Sequence, residues 1–567
     1  MGVTPATFDS GGKLSQHYLP GAYSQIDYVP NGNGVVAANN SVILGDARGG
    51  KPNTLVYVGS EAEAIAILRS GSLLDAIRHA FNPGGGFVPQ RIGFMRVNPG
   101  TQSQRTLQSS AANIITLKSA DYGVHTNQLK AKLEAGTTGK KFTVQFQNEA
   151  EIVVDDIIRP SITIQYIGAG AAATMDIDDT SLVTTVDAVE DLNIDFASFA
   201  TIESLVAYIN DQSDYTCVAA TGDLSQKTIH LDAVSSQDIK TSAYTSNSNL
   251  QALIEAIETI PYIGEVSYVG ASRVVPDNDA DFVYFSGAID GAYTATEWGV
   301  SLTALENENV QLVGASSSDA SVHALIKAHC DKMCSRVGKS ERQYIVGGAS
   351  GETIDQTITR AKNLGDTEIG ALVYPGFNDY TFDGTSKIVT WSPVYYAAKE
   401  IGRQVALAIN EPATKKAVSH LGWSKDLTIT ELEKLIAAGV WCGQKDRSGN
   451  FVNARSVTVF QGSNITQNEF SSVREALFAS RDLREAIERS IVGRAGVPDR
   501  FADIDAIVFG KLAFYAEDLK IFVGNPAYFN YKKRIVGDTV YIDYDANLTL
   551  PVNFVFITSH FSVFAEG

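Results

Sequence analysis

The sequence contains no long hydrophobic run, and this absence excludes one class of protein. A transmembrane helix needs about 18 or more consecutive apolar residues, and no stretch of this chain approaches that length. The first residues also lack the positively charged region and following apolar region that mark a secretory signal. We therefore expect a cytoplasmic product that does not insert into a membrane.

Cysteine, histidine and positive charge are all scarce. The 567 residues include 4 Cys and 8 His, and 45 Lys and Arg against 64 Asp and Glu give a net charge of −19. Few cysteines favour a reducing compartment. The acidic balance argues against nucleic-acid binding, because that affinity comes from clustered Lys and Arg. A chain of this length has room for about three or four domains.

Three glycine-rich stretches follow predicted strands, but none completes a known ligand-binding or catalytic motif. Residues 168–173 come near the dinucleotide pattern, yet a poor helix sequence follows them, and the helix N-terminus is what would bind phosphate. Residues 338–340 lack the first glycine of a P-loop, because Met333 occupies its position. Ser350 is followed directly by Gly351, which excludes a nucleophile elbow.

Two cysteines on one predicted helix are the nearest approach to a metal site. Cys330 and Cys334 lie one turn apart, with His329 beside them. A closed zinc site needs four ligands, and no second pair is near in the sequence. The same residues continue an apolar stripe with Val322 and Ile326, so a core face is the better interpretation. We expect no metal, no cofactor and no catalytic set, and leave open whether the cysteines form inter-subunit disulfides.

The middle of the chain alternates between buried strands and helices. Segments 310–313, 344–346 and 369–374 are short apolar runs typical of strands buried on both faces, and the residues between them have helical periodicity. Such alternation predicts an α/β core, in which a mixed, mainly parallel sheet is joined by crossover helices.

Two capping boxes follow this core. The first, at 428–431, predicts a helix that ends at Gly439. The second, at 466–469, predicts the start of a long helix that runs to about Val492. Gly493, Gly496 and Pro498 then predict a domain boundary.

Residues from about 101 to 287 have a different composition, rich in Thr, Ser, Asp, Ala and Val, with many short predicted strands. This predicts a β-rich insertion, of one or two subdomains, that interrupts the core. The predicted domains are an N-terminal arm at 1–30, a discontinuous α/β core at 31–100 and 288–495, the insertion at 101–287, and a C-terminal α+β domain at 496–567 with a strand arm at about 550–567.

Both ends of the chain carry strand patterns. Residues 538–544 alternate as a half-buried strand does, and 548–558 are almost wholly apolar and aromatic, which suits a strand buried on both faces. Near the N-terminus, 19–30 is a short alternating strand bounded by prolines. The last strands either close the protein's own core or form an edge that joins the sheet of another chain.

The order of several segments resembles the tail sheath proteins of contractile-tailed bacteriophages, which are related to the sheaths of contractile injection systems. The resemblance covers the core and both ends, while about 160–285 looks variable. The segments that carry it are Pro20-Gly21-Ala22-Tyr23, 117–123, 305–313, 322–330, the region from 374–375 to 410–413, and 535–561.

The resemblance implies a structural subunit rather than an enzyme, without a cofactor. Such subunits form stacked hexameric rings in a helical tube around a tail tube, and contract from a metastable extended state to drive the tube through the host envelope. The implied partners are further copies of the chain, the tail tube protein, and baseplate and tail terminator proteins. Neither nucleic acid nor direct membrane insertion is implied. The implied location is the virion, after assembly in the host cytoplasm.

In this family the insertion lies outside, the C-terminal domain lies inside, and both arms add strands to sheets of neighbouring subunits. The implied N-terminal interface residues are Leu19, Pro20, Gly21, Tyr23 and Ile26. The implied C-terminal interface residues are Val552, Phe554, Phe556 and Phe561.

A basic cluster, Lys532, Lys533 and Arg534, directly precedes the strands that the resemblance places at the inner wall. These residues either contact the tail tube or form a solvated turn. Two other classes also stay open for the chain. One is another self-assembling virion protein, of the tail tube or capsid and surface-layer type. The other is an α/β enzyme with a β-rich insertion.

Overall fold

A computed structural model describes residues 6–10, 13–17, 39–493 and 498–561. The chain divides into two units, Met1–Val36 and Ala37–Gly567. The first unit contains an antiparallel hairpin of β1 (Ala6–Ser10) and β2 (Lys13–His17). The predicted N-terminal interface residues lie outside the described residues; they are Leu19, Pro20, Gly21, Tyr23 and Ile26.

The second unit begins with the first strands of the core. The elements are β3 (Ser41–Gly45), β4 (Val56–Val58), α1 (Glu61–Leu68), α2 (Ser72–Phe81) and β5 (Ile92–Arg96). Helix α1 begins after Ser60, whose hydroxyl accepts a hydrogen bond from the Glu63 backbone N–H. This N-cap satisfies one of the free donors of the first turn.

Residues 104–284 form four small antiparallel sheets. The elements are β6 (Gln104–Ser109), β7 (Ala112–Ser119), β8 (Leu129–Ala135), β9 (Lys140–Phe146), β10 (Ile152–Ile157), β11 (Pro160–Tyr166), β12 (Ala173–Ile177), β13 (Ser181–Val186), β14 (Val189–Asp195), α3 (Ile202–Asn210), β15 (Tyr215–Ala219), β16 (Val234–Asp238), β17 (Tyr244–Asn247), α4 (Asn249–Glu258), β18 (Ile263–Tyr268) and β19 (Val283–Tyr284). The glycine-rich stretch 168–173 therefore leads into a strand and not into a helix.

Two separate apolar clusters stabilise this part of the chain. One draws its buried residues from Leu107 to Phe285 and includes one side of α4. The other draws them from Ile162 to Ile239 and includes one side of α3. The domain boundaries expected at 30, 100, 287 and 495 stay predictions.

The core resumes after the four sheets. Its elements are α5 (Ala295–Ala304), β20 (Leu312–Ala315), α6 (Ala320–Cys334), β21 (Gln343–Gly347), α7 (Ile354–Leu364), β22 (Gly370–Tyr374), β23 (Phe377–Tyr380), β24 (Ile388–Trp391), α8 (Pro393–Ala406), β25 (Gly422–Trp423), α9 (Ile429–Ala437), β26 (Val440–Lys445) and β27 (Phe451–Arg455). Strands β23, β24 and β25 form a small sheet of their own.

An eight-stranded sheet with the order β27-β26-β22-β21-β20-β3-β5-β4 forms the centre of the core. The six strands from β26 to β5 are parallel, and the two edge strands are antiparallel to their neighbours. Every residue of β20, β21 and β22 is buried. One face packs on α2 and α8 and the other on α5, α6, α7 and α9, so the predicted parallel α/β core is confirmed.

Helices and a hairpin complete the described chain, namely α10 (Ile465–Asn468), α11 (Phe470–Ser490), α12 (Pro498–Glu517), β28 (Tyr528–Val536) and β29 (Thr539–Ala546). The capping box predicted at 428–431 is confirmed at the start of α9. The one predicted at 466–469 is wrong. Asn464 caps the short α10, and the Glu469 carboxylate instead accepts hydrogen bonds from Arg455.

The end of the described chain differs from its predicted form. The alternating strand expected at 538–544 is confirmed as part of β29, whose residues are alternately exposed and half-buried. The strand expected at 548–558, buried on both faces, is wrong, since residues 549–561 form no strand and are mostly exposed. An apolar sequence supports such a strand only where another strand pairs with it.

Candidate assembly surface

The C-terminal tail, residues 548–561, is the most exposed apolar segment of the described chain. Six of its large apolar side chains are 70 to 95% exposed. They are Val552, Phe554, Val555, Phe556, Ile557 and Phe561. All four predicted C-terminal interface residues are in this set. Soluble proteins rarely leave a contiguous apolar segment in water unless another molecule covers it.

The first part of the tail, residues 548–553, is bound to the body of the protein, and we call it the tail root. The Thr549 N–H donates to the Ile521 carbonyl oxygen at 2.9 Å. The Ser472 hydroxyl donates to the Thr549 carbonyl oxygen at 3.0 Å, and the Asn553 side-chain amide donates to Glu469 Oε1 at 2.9 Å. The remaining residues, 554–561, form the tail tip.

An arginine side chain lies close to the first residue of the tail tip. The Arg455 guanidinium lies 5.7 Å from the centroid of the Phe554 ring, within reach of a cation–π interaction. The sequence does not indicate any of these partners of the tail. Arg455 lies on β27 and Ser472 on α11, and no local pattern connects either residue to the end of the chain.

The hairpin of β28 and β29 is a second feature suited to assembly. One face packs through Val540, Ile542 and Tyr544 against the cluster that includes α12. In the part of the chain that the structure describes, the two strands pair only with each other. Each therefore has one edge of unpaired backbone N–H and C=O groups, which can accept a strand from another chain.

The predicted basic cluster lies on this hairpin. Lys532, Lys533 and Arg534 belong to strand β28 and not to a turn, and their contact with the tail tube stays a prediction. Lys533 Nζ binds Asp505 Oδ2 on α12 at 2.5 Å, and this hydrogen bond is the main cause of the lowered pKa of Asp505.

The two flanking cations differ from Lys533, because their side chains are exposed. The Arg534 guanidinium lies 4.3 Å from the Tyr541 ring centroid, across the hairpin. Of the three basic residues, Lys532 and Arg534 are thus the two with exposed side chains.

Two serine hydroxyls meet at the place where an α/β enzyme would bind its ligand. In a doubly wound sheet this is the crevice at the carboxyl ends of the two strands where the winding direction changes, here β3 and β20. The hydroxyls of Ser72 and Ser316 lie 2.7 Å apart across it. A Cβ atom on Gly45 would lie 1.9 Å from Ser316 Oγ, so the ends of β3 and β20 are in close contact here.

The cysteine pair lies inside the core, as predicted. Cys330 is fully buried in one of the two apolar clusters of the sheet, and Cys334 packs against that cluster. Burial raises the pKa of Cys334 to about 11, and all four cysteines are free thiols. A thiol as buried as Cys330 cannot reach another subunit.

The described residues contain no group of three or more His, Cys, Asp or Glu side chains that could hold a metal ion. None of their helices is long and apolar enough to cross a membrane.

Residues 291–459, which cover most of the resumed core, match a family model described as the central domain of phage tail sheath proteins. The chain is related to the phage tail sheath proteins. It is 26% identical to the tail sheath protein of Bacillus phage SP01, over 96% of this chain and 95% of that protein. It is also 26% identical to a putative tail sheath protein of Enterococcus phage phiEF24C, over 80% of this chain and 81% of that protein.

Solved structures agree on the sheath fold. The sheath tail protein of Listeria innocua matches with a TM-score of 0.52 and 12% identity, over 90% of this chain and 95% of that chain. The sheath tail protein of Desulfitobacterium hafniense matches with a TM-score of 0.50 and 12% identity, over 93% of this chain and 100% of that chain. The predicted resemblance to tail sheath proteins is thereby confirmed.

Proposed function

We propose that this chain is the structural subunit of a contractile tail sheath. Copies polymerise as stacked hexameric rings in a helical tube around a tail tube, and the tube contracts from a metastable extended state to drive the tail tube through the host envelope. The partners are other copies, the tail tube protein, and baseplate and tail terminator proteins. The subunit assembles in the host cytoplasm, becomes part of the virion and performs no enzymatic step.

The observation that carries this proposal is the exposed apolar tail tip beside a hairpin with unpaired strand edges. A tip of five exposed large side chains and an open strand edge are complementary surfaces of one chain. When a surface of one copy binds a different surface of the next copy, the contact does not close on itself and generates a helical polymer. Similarity to tail sheath proteins over nearly the whole chain supports the same conclusion.

The tail supplies a strand to a neighbouring subunit. In this arrangement the residues 552–561 pair with an edge of the neighbour's β28–β29 hairpin, and Val552, Phe554, Phe556 and Phe561 pack on its surface. Backbone hydrogen bonds provide affinity, and alternate side chains provide specificity. The N-terminal arm, with Leu19, Pro20, Gly21, Tyr23 and Ile26, makes an equivalent connection in the other direction.

Strand exchange allows neighbours to stay linked while their cores move. The contracted lattice is the more stable state because it buries more surface between subunits, and assembly on the tail tube holds the extended state kinetically. The residues 101–287 face outward and the C-terminal domain faces the tube.

A truncation that keeps the tail root tests this proposal. Removal of residues 555–567 leaves the contacts of Thr549 and Asn553 intact, so the subunit should fold, with a melting temperature close to that of the full chain. It should run as a monomer in size-exclusion chromatography and form no tubes in negative-stain electron microscopy. Truncation after Phe561 is the matched control and should still polymerise.

The same micrographs decide between the alternatives. Striated hollow tubes from the full chain support a sheath, smooth narrow tubes indicate a tail tube protein, and discrete particles indicate an enzyme. Unchanged polymer formation by the 555–567 deletion would show that the tail tip is not the inter-subunit strand.

A further inference from the structure

One face of α11 carries two buried carboxylic acids beneath the tail root. Glu469, which directly precedes α11, and Ser472 and Glu475 within the helix are spaced three residues apart, so neighbouring members lie near each other. All three side chains are fully buried. The tail root crosses this face, where Ser472 and Glu469 bind Thr549 and Asn553.

Glu475 is buried, and neither of its carboxyl oxygens has a hydrogen-bond partner among the described residues. The Thr549 N–H is near enough to favour the ionised carboxylate, but it already donates to the Ile521 carbonyl oxygen. The adjacent guanidinium of Arg474 donates to the Gln404, Ala408 and Ile409 carbonyl oxygens. An unpaired carboxylate in such surroundings is strongly disfavoured, so the neutral acid is the form that fits.

Burial raises the pKa of Glu475 to about 8, and the positive charge of Arg474 limits the rise. The other charged groups around this face come from three further elements. Glu411 follows α8 and interacts with Arg474, Arg455 of β27 pairs with Glu469, and Lys511 of α12 pairs with Asp482.

Glu469 differs from Glu475 in its partners. Its Oε1 accepts hydrogen bonds from Arg455 and Asn553, while its Oε2 has none. Burial raises its pKa, and Arg455 opposes the rise. Of the two acids, Glu475 is therefore the one without a compensating cation bound to it.

We propose that Glu475 is a proton-dependent lock on the root of the C-terminal tail: the neutral acid keeps residues 549–553 packed on α11, and ionisation loosens them. Loosening lets water reach the carboxylate, and the tail, which carries the strand for the neighbour under the proposed function, then moves away from α11. The lock is a property of the single subunit, and it holds whether or not the tail tip joins another chain.

The direction of the pH effect follows from the two pKa values. A released, hydrated Glu475 has the ordinary value of 4.5, whereas the packed one has a pKa of about 8. Between these values the packed state holds a proton that the released state has lost. The equilibrium constant that favours the packed over the released tail root is therefore largest below about pH 4.5. It falls by up to tenfold per pH unit as the pH rises toward 8, and it is constant above that.

Hydrogen exchange of the tail root, measured on the full chain between pH 5 and 9, tests the lock. The amide of Thr549 can exchange only when its bond to Ile521 opens. After correction for intrinsic rates, the protection of peptides covering 547–553 should fall at least tenfold from pH 5 to 8 in the wild type and then level off. In Glu475→Gln, which has the same shape and no ionisation, protection should stay constant.

Two further variants distinguish a proton-dependent lock from a general loss of tail-root packing. Glu485→Gln, on the same helix, should retain the wild-type pH slope. Ser472→Ala removes one tail contact and should lower protection equally at every pH, with the slope kept. A wild-type profile without a slope, or the same slope in Glu475→Gln as in wild type, would overturn the proposal. Because the subunit alone is measured, failure of polymer formation would not affect this result.

Discussion

The backbone N–H of Ser248 donates to the carbonyl oxygen of Arg159 at 2.8 Å, so the two ends of residues 160–247 meet. The Ser161 and Ser248 hydroxyls also lie 2.7 Å apart, and β11 pairs with β17 near the same point. The residues between these ends have their own apolar cluster. A segment of this kind can be removed without stretching the rest of the chain.

Replacement of residues 161–246 by a two-glycine turn should leave a soluble, folded subunit. The cluster that contains α4 keeps all its buried residues, so the melting temperature of the remaining transition should shift by only a few degrees. Circular dichroism and electron microscopy should show folded protein that still forms tubes, of smaller outer diameter. Deletion of residues 129–157 is the control, because it removes β8, β9 and β10 from the other cluster and should destroy the fold. Loss of all tubes in a folded variant lacking 161–246 would contradict the expectation.

The two threonines predicted to cap helices should differ in their effect on stability. Thr428 Oγ1 accepts from the Glu431 N–H, and the Glu431 carboxylate accepts from the Thr428 N–H at 2.9 Å. Thr466 Oγ1 only donates to Asn464 Oδ1, at 2.8 Å. Urea denaturation should show a loss of about 1 kcal/mol for Thr428→Ala and less than about 0.5 kcal/mol for Thr466→Ala. Equal losses would show that the second box forms after all.

Buried histidines should make the protein sensitive to acid. Burial is the main cause that lowers the pKa of His323 and His329 to about 4 and that of His420 to about 3. His329 Nε2 lies 2.9 Å from Arg342 Nη1, which can only donate, so this nitrogen must carry a lone pair. Unfolded histidines gain a proton below about pH 6.5, so stability should decline as the pH falls from 6.5 toward 4.

Replacement of one of these histidines measures its share of the acid sensitivity. Thermal unfolding of His329→Gln, followed from pH 7.5 to 4, should have a shallower pH dependence than the wild type. The difference should reach at most about 3 kcal/mol, since each pKa unit corresponds to about 1.4 kcal/mol. His125→Gln is a useful control, because His125 lies near the surface instead of in the core and its Nε2–H donates to the Asp121 carboxylate. Parallel curves for wild type and His329→Gln would show that His329 is protonated in the folded protein.

The basic cluster should act on the tail tube through its two exposed members. Under the proposed function, Lys532→Ser combined with Arg534→Ser should give sheaths that assemble already contracted or leave the tube at lower salt than wild type. Exposed charge pairs contribute only about 0 to 1 kcal/mol each and are screened by salt, so the effect depends on repetition over many subunits. Lys533→Ser is the matched control, because Lys533 is already bound to Asp505. Extended sheaths with unchanged salt sensitivity in the double variant would exclude the cluster as the tube contact.

The parallel core could be predicted because its signals are local. The runs at 344–346 and 369–374 are apolar on both faces, and the helices between them have clear periodicity, so pattern alone gives strand, helix and relative direction. The capping box formed by Thr428 and Glu431 is also a local signal. At Thr466 the same pattern failed, because Arg455 competes for the Glu469 carboxylate and is brought close only by the folded chain.

Three other features could not be seen in the sequence. The sequence places Pro498 at a domain boundary but does not show that it begins α12, a position where proline is well tolerated. Lys533 was grouped with its neighbours, since its pairing with Asp505 depends on how α12 packs against the hairpin. The unpaired carboxyl of Glu475 lies inside a helix that has an ordinary charged pattern, so only the packing of the tail root shows its unusual position.

The order of strands in the central sheet has a consequence for biosynthesis. Strand β3 pairs in parallel with β20, but the ribosome makes β3 at residues 41–45 and β20 only at 312–315. At about 5 to 20 residues per second, β3 waits roughly 15 to 50 s for its neighbour. During that interval the nascent β3–β5 pair has an uncovered apolar edge, while 104–284 emerge and can fold. Folding of the core is thus a late event in translation, and early protection of this edge by a chaperone should raise the yield of native subunits.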